Sequence, residues 1–267
     1  MITDITLGQY FPGESVIHKL DPRIKIILTL LYIIILFMVN NFAGYILFAV
    51  FTFTIIFISS IPVKYVFRGL KPLIFIIVLT AFINVFMTGG TIAFSIGPLK
   101  ATWEGIHMAV LMTLRLMFLI IGTSMLTFTT SPILLTDGIE KLLSPLKRVG
   151  VPAHELAMMM TIALRFIPTL IEETDKIMKA QMARGADFES GNILKRAKAL
   201  VPLLVPLFIS AFRRADELAI AMECRCYHGG EGRTRMRQLK LKTRDYLAVG
   251  VFGVLMVIVF FIRNIGF

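Results

Sequence analysis

Residues 42–63 read FAGYILFAVFTFTIIFISSIPV, twenty-two consecutive positions without a charged side chain. A helix rises about 1.5 Å per residue and the hydrocarbon core of a bilayer is about 30 Å thick, so roughly 17–25 such residues cross it. This stretch reads as a transmembrane helix, and the chain repeats the pattern. Pro72–Leu99 and Tyr246–Ile262 are equally free of charge, and Gly105–Thr129 carries only Arg115. Ile26–Val39 is apolar but short, unless Ile24 and a snorkelling Lys25 extend it. Of 267 residues, 57% are hydrophobic, against about 45–50% in soluble domains. The fold class expected is an all-α integral membrane protein with about five transmembrane helices plus long cytoplasmic helices.

The net charge of +11 reads first as topology, because Lys and Arg collect in cytoplasmic loops beside anionic lipid. No nucleic acid is implied. Lys19, Arg23 and Lys25 precede the first span, and Lys64, Arg68 and Lys71 follow the second. The first connection, through Asn40 and Asn41, is uncharged, and the third, around Met87–Glu104, offers only Lys100 and Glu104. The N-terminus is therefore expected on the cytoplasmic side. Residues 1–130 form a membrane part with four spans, 131–243 a cytoplasmic or interfacial segment, and 244–267 the last span. Met1–Leu20 lacks the apolar h-region of a cleavable signal.

Residues 131–243 carry 18 Lys/Arg against 12 Asp/Glu. Three helices are readable in them. Ser131–Val149 opens with Ser-Pro and ends at Gly150 and Pro152, and it is too short and charged to span, which suits a helix lying along the membrane surface. The second runs from about Ala153 to Arg184. Leu156, Met160, Ala163, Ile167, Leu170, Ile177 and Gln181 fall near one stripe, while Glu172/Lys176 and Asp175/Lys179 are spaced for pairing. Pro168 predicts a kink, and Gly185 a cap after Arg184. The third runs from about Ile193 to Tyr227. Its stretch Val201–Phe212 is apolar but too short to cross, and so packs on protein or dips into the interface.

The ends of the second and third helices repeat one another. Asp175, Ile177, Ala180 and Arg184 match Asp216, Leu218, Ala221 and Arg225 at identical spacing, which aligns Ala183-Arg184-Gly185 with Cys224-Arg225-Cys226. An arginine between small neighbours presents its fork of donors to a partner that can approach closely. Two such ends suit a partner composed of two similar subunits. The alternative is that each arginine only caps its own helix through the helix dipole.

Several chemistries find no support. No G-x-x-x-x-G-K-[ST] loop is present, so the chain has no cradle for nucleotide phosphates and is not expected to be an enzyme. The spans hold no Asp or Glu to couple proton or cation movement. Arg115 would cost about 2.5–3.5 kcal/mol at a helix centre, unless it bonds carbonyls or a polar group such as Asn84. His18, His107, His154 and His228 stand singly, and Cys224, Cys226 and His228 lack a nearby fourth metal ligand. No metal or cofactor is expected.

The sequence resembles the transmembrane T component of energy-coupling factor transporters, the EcfT family. The opening Ile5-Thr6-Leu7-Gly8-Gln9-Tyr10, followed by Pro12-Gly13-Glu14-Ser15 and His18-Lys19-Leu20-Asp21-Pro22-Arg23, is similar to that family's start. So are Thr136-Asp137-Gly138-Ile139-Glu140 through Leu146, Leu164-Arg165-Phe166-Ile167-Pro168, and the paired ends at Arg184 and Arg225. The resemblance covers essentially the whole chain. Cysteines stand in the second end where alanine or glycine is commoner, with small size kept.

The resemblance implies a scaffold and coupling subunit of an ATP-driven importer for vitamins or other micronutrients, in a prokaryotic cell membrane. Two ATP-binding cassette ATPases would dock at Ala183, Arg184, Gly185, Cys224, Arg225 and Cys226. One of several substrate-binding S components would rest on an apolar surface including Met158, Met159, Met160, Val201, Leu204 and Phe208. The methionines of the second helix fit several partners, which suits a shared subunit, although gap-filling packing explains them as well. Competing readings are a conventional permease subunit that forms the substrate pathway itself, an ion-coupled carrier, and a lipid-directed membrane enzyme.

Overall fold

The computed structural model describes residues 10–96, 99–188, 192–230 and 238–265. The opening stretch Ile5–Gln9 lies outside them. Nine α-helices account for most of these residues: α1 Pro22–Met38, α2 Phe42–Ser59, α3 Val63–Leu70, α4 Ile74–Met87, α5 Trp103–Thr129, α6 Pro132–Leu143, α7 Ala153–Ala183, α8 Ile193–Glu223 and α9 Thr243–Ile265. A two-stranded antiparallel hairpin, β1 Ile92–Ile96 and β2 Leu99–Thr102, separates α4 from α5. Five helical segments are long and apolar enough to cross a membrane: 42–59, 63–87, 103–129, 153–183 and 243–263.

The number five agrees with the sequence reading, and the membership differs. Helix α1 has 17 residues, at the short limit for a span, whereas α7 joins the set because its first half is continuous with its charged half in one 31-residue helix. The run Pro72–Leu99 is not one span. Helix α4 stops at Met87, Gly89 and Gly90 follow, and the remaining apolar residues enter the hairpin. Hydropathy cannot distinguish a helix from a strand inside an uncharged run.

The chain forms two compact units. One comprises Gly8–Gly138 with Leu239–Phe267 and holds α1–α5 and α9. Its core joins Leu36, Tyr45, Phe48, Phe118, Phe252 and Leu255. A neighbouring cluster packs Ile56, Val66, Leu70, Ile121 and Phe128. Tyr32 ties three helices together, since its hydroxyl stands 3.1 Å from both Thr52 Oγ1 and the Phe118 carbonyl. Its ring crosses α5 at Gly122, where a Cβ would lie 2.3 Å away, so only glycine admits the approach.

The start of α1 is fixed by the residues that resemble the family opening. Asp21 is the N-cap, accepting from the Arg23 backbone N–H at 2.9 Å, and Pro22 follows at the first helical position. Arg23 also grips the Asp21 carboxylate through Nε at 3.0 Å and Nη2 at 2.8 Å. Burial would push the Asp21 carboxyl up, but the bonds and charge of Arg23 outweigh it and hold the group below its ordinary value. The Asp21 backbone N–H donates in turn to Asp245 of α9 at 2.8 Å. His18 bridges Ser15 Oγ, 2.7 Å from Nδ1, and the Phe11 carbonyl, 3.0 Å from Nε2. Burial, together with the charge on Lys25, holds the imidazole below its usual pKa.

Lys25 does not snorkel. It is 6% exposed, and Nζ donates to the carbonyls of Thr129 and His18 and to Thr130 Oγ1 at 2.8, 3.2 and 3.1 Å. It satisfies carbonyls at the C-terminal end of α5, where a cation is favoured. Arg115 lies level with the opposite end of α1. It donates to the Val39 carbonyl at 2.9 Å, Asn40 Oδ1 at 3.0 Å and Tyr45 Oη at 3.1 Å. The carbonyl-bonding account of this residue holds, with Asn40 and Tyr45 as its polar partners; Asn84 instead donates to the Thr80 carbonyl of its own helix.

The second unit, Ile139–Gln238, contains α7 and α8, which pack on each other. Glu173 of α7 accepts from Ser210 Oγ and from Arg214 Nη2 of α8, the latter at 2.8 Å. Of the two pairs expected along α7, Asp175–Lys179 forms at 2.7 Å. Helix α6 carries the chain between the units and ends at Leu143, short of the expected Val149. Residues Ser144–Val149 tighten into a 3₁₀ turn, because Pro145 cannot donate and disfavours the α conformation in the residue before it. Gly150 then takes a left-handed φ of 90°, ending the segment where expected.

Candidate docking site at the paired helix ends

The C-termini of α7 and α8 close with the same hydrogen bonds. At the first, the N–H groups of Arg184, Gly185 and Ala186 donate to the carbonyls of Gln181, Met182 and Gln181 at 3.0, 2.9 and 3.0 Å. At the second, Arg225, Cys226 and Tyr227 donate to Met222, Glu223 and Met222 at 3.1, 2.8 and 3.1 Å. Each is a Schellman end, with a six-to-one and a five-to-two bond around a left-handed residue. That residue is Gly185, φ 88°, in one case and Cys226, φ 55°, in the other. The sequence repeat is therefore a repeat of backbone geometry.

The consequence lies in the residue before the left-handed turn. Arg184 and Arg225 are each the last residue before the chain reverses, and both are exposed, as are Ala183, Gly185, Cys224 and Cys226. Neither arginine makes an ion pair among the described residues, and the free thiols flank the second. Each helix end thus presents an unengaged guanidinium on a fixed backbone, with small neighbours that let a partner's surface approach.

The two ends differ in support. A Cβ at Gly185 would meet nothing within 4 Å, whereas at Gly230, just beyond the second end, it would lie 2.4 Å from the His154 ring. His154 stands in the first turn of α7. Its Nδ1 is 3.1 Å from Glu140 Oε1 and its Nε2 is 3.4 Å from Tyr227 Oη. His228 Nδ1 lies 2.8 Å from the Cys226 carbonyl. Sequence reading missed this anchoring, because Glu140, His154, Tyr227 and Gly230 come from separate segments and each histidine stands alone in the chain.

Away from these ends the first halves of α7 and α8 leave apolar side chains uncovered. Val201, Leu204 and Phe208 are 53%, 45% and 60% exposed, while Leu203 is buried. Met159 and Met160 are exposed and Met158 is half-buried. The spacing 201, 204, 208 places the first three on one helical face. Pro202 and Pro206 lie within α8 and Pro168 within α7, and both helices continue through them.

Comparison with known proteins identifies relatives over the full length. A family model described as cobalt transport protein, CbiQ, matches residues 13–236. A protein of Clostridium kluyveri named energy-coupling factor transporter transmembrane protein EcfT is 64% identical over 255 residues, covering 93% of each chain. One of the same name from Ruminiclostridium cellulolyticum is 58% identical over 267 residues, covering all of both. The Bacillus subtilis protein of that name is 49% identical over 264 residues, covering 98% of this chain and 100% of its own.

Proposed function

Since the chain belongs to the EcfT family of energy-coupling factor transporter transmembrane proteins, we propose that its paired helix ends dock two ATPases and that its exposed apolar helix faces carry a substrate-binding S component. The chain is a multi-pass membrane component of a transporter and not itself an ATPase. What supports the docking reading is the identity of the two ends: Arg184 and Arg225 hold the same capped position, and neither makes an ion pair among the described residues. A pair of similar ATPase subunits presents two similar grooves, and two similar arginine ends complement them. Ala183, Gly185, Cys224 and Cys226 keep the approach open.

In this mechanism α7 and α8 act as levers. ATP-driven closure of the ATPases displaces the two ends, and the Glu173 brace to Ser210 and Arg214 makes the helices move as a pair. The motion reaches Met158, Met159, Met160, Val201, Leu204 and Phe208, on which the S component rests. The substrate is a vitamin or other micronutrient held by the S component. The helix ends and N-terminus face the cytoplasm of a prokaryotic cell.

The test is copurification. Arg184→Glu with Arg225→Glu abolishes recovery of the ATPases with the tagged chain, while each single reversal weakens one, since loss of one member of a close charge pair costs about 2 kcal/mol or more. Normal recovery with the double variant would refute the docking role. Substrate uptake by the chain and ATPases alone, without an S component, would instead indicate a permease.

A further inference from the structure

We propose that the unit formed by α1–α5 and α9 holds one anionic phospholipid in a slot between α2 and α9, with its headgroup on Arg244. A cavity of about 340 Å³ opens there, floored by α1 and α5. Phe51 of α2 and Phe252 of α9 pack edge to face at 5.9 Å and close one end. Below that contact the rim is formed by Ile58, Leu247 and Val251, exposed on the outer surface of the membrane helices. Along α9, Arg244 to Phe252 spans about 12 Å at 1.5 Å per residue, a length that suits part of an acyl chain within one leaflet.

The polar groups along the slot are consumed internally. Lys25 Nζ uses its protons on His18, Thr129 and Thr130. Thr29 donates to the Lys25 carbonyl, Thr52 meets Tyr32, and Thr129 donates to the Met125 carbonyl. Water in such a space lacks the two to four partners that would hold it, and hydrocarbon fits. Arg244 is the exception: it lines the slot and is half-buried, without an ion pair among the described residues. Lys240 and Lys242 precede it, both exposed, while the Asp245 carboxylate is already taken by the backbone N–H groups of Asp21 and Lys242. The mouth is thus cationic and the interior apolar, which selects an anionic over a zwitterionic headgroup.

The purified complex, delipidated in detergent and offered equimolar dioleoyl phosphatidylglycerol and phosphatidylcholine, is read by native mass spectrometry. The expected result is one retained phosphatidylglycerol, favoured about tenfold, the equivalent of one charge-assisted hydrogen bond. Arg244→Gln brings the preference close to one, and Ala248→Phe, which fills the slot, removes the retained lipid. Should that variant fail to fold, Val251→Trp blocks the rim from the lipid-facing side with the same loss expected. Equal retention of both lipids by the unaltered chain, or undiminished phosphatidylglycerol in the folded slot variants, overturns the proposal.

Discussion

Gly185 and Cys226 occupy the same left-handed backbone position, each donating its N–H to the carbonyl three residues earlier in helix ends closed by the same hydrogen bonds. Glycine reaches that conformation without penalty, and a residue with a Cβ pays about 1–2 kcal/mol. Cys226→Gly is therefore expected to raise thermal stability by the equivalent of about 1 kcal/mol, and Gly185→Val to lower it by a similar amount. Unfolding followed in detergent by size-exclusion recovery after heating decides the matter. A lower midpoint for Cys226→Gly would show that the thiol makes a compensating contact.

His154 packs against the segment that follows the second end, and this contact is expected to restrain it. Gly230→Ala places a methyl group against the imidazole, and His154→Ala removes the ring that faces Tyr227 and Glu140. Both changes act on one contact, so their effects do not add. Cys224 and Cys226 are the only cysteines of the chain and lie on the affected segment, making maleimide labelling a direct readout. Each variant is expected to speed labelling several-fold, with the double variant no faster than the quicker single one. Unchanged rates would mean that the end is held without His154.

What was legible in the sequence was local. The four matched positions ending at Arg184 and Arg225 lie within single helices, and their spacing alone implied equivalent ends. The α7 cap at Gly185 followed from the same logic. What was not legible required knowing which distant segments meet. Lys25 reads as a flank of a short span, and only the arrival of the α5 terminus at Thr129 and Thr130 makes its burial affordable. Arg115 reads as a mid-helix charge, yet Val39 and Asn40 of the α1–α2 connection reach its level. The connection expected around Met87–Glu104 begins where α4 ends, but the hairpin inside it leaves no mark in hydropathy, since β1 is as apolar as the helix before it.

Acid is expected to destabilise the unit containing α1 in two windows. His18 is held below its ordinary pKa, so the unfolded chain binds this proton first, and stability falls as pH drops below about 6.5 until the folded group also titrates. Asp21 is likewise held low. Its contribution is complete above the ordinary carboxylate pKa of about 3.9 and is lost as pH falls through the lower folded value. Asp21→Asn should abolish the second window and leave the first. Midpoints of thermal unfolding at about pH 7.5, 5.5, 4 and 2.5 test this, and an Asp21→Asn variant as acid-sensitive as the parent below pH 4 would place the effect elsewhere.

On the proposed S-component surface, the three consecutive methionines at 158–160 distinguish a shared platform from a dedicated one. Met159 and Met160 are exposed and Met158 is only half-buried, so little of their flexibility is needed to fill the chain's own core. Replacement by leucine conserves volume and costs under about 1.5 kcal/mol even in a packed interior, leaving fold and ATPase docking intact. What leucine removes is adaptability, because a branched side chain offers fewer shapes than a thioether. A subunit that receives several S components therefore loses some more than others, and the affinities, measured separately for each S component by competition for the tagged complex, diverge. A uniform change across all of them would identify the methionines as ordinary packing at one invariant interface, and the platform's breadth would then rest on Val201, Leu204 and Phe208 of α8.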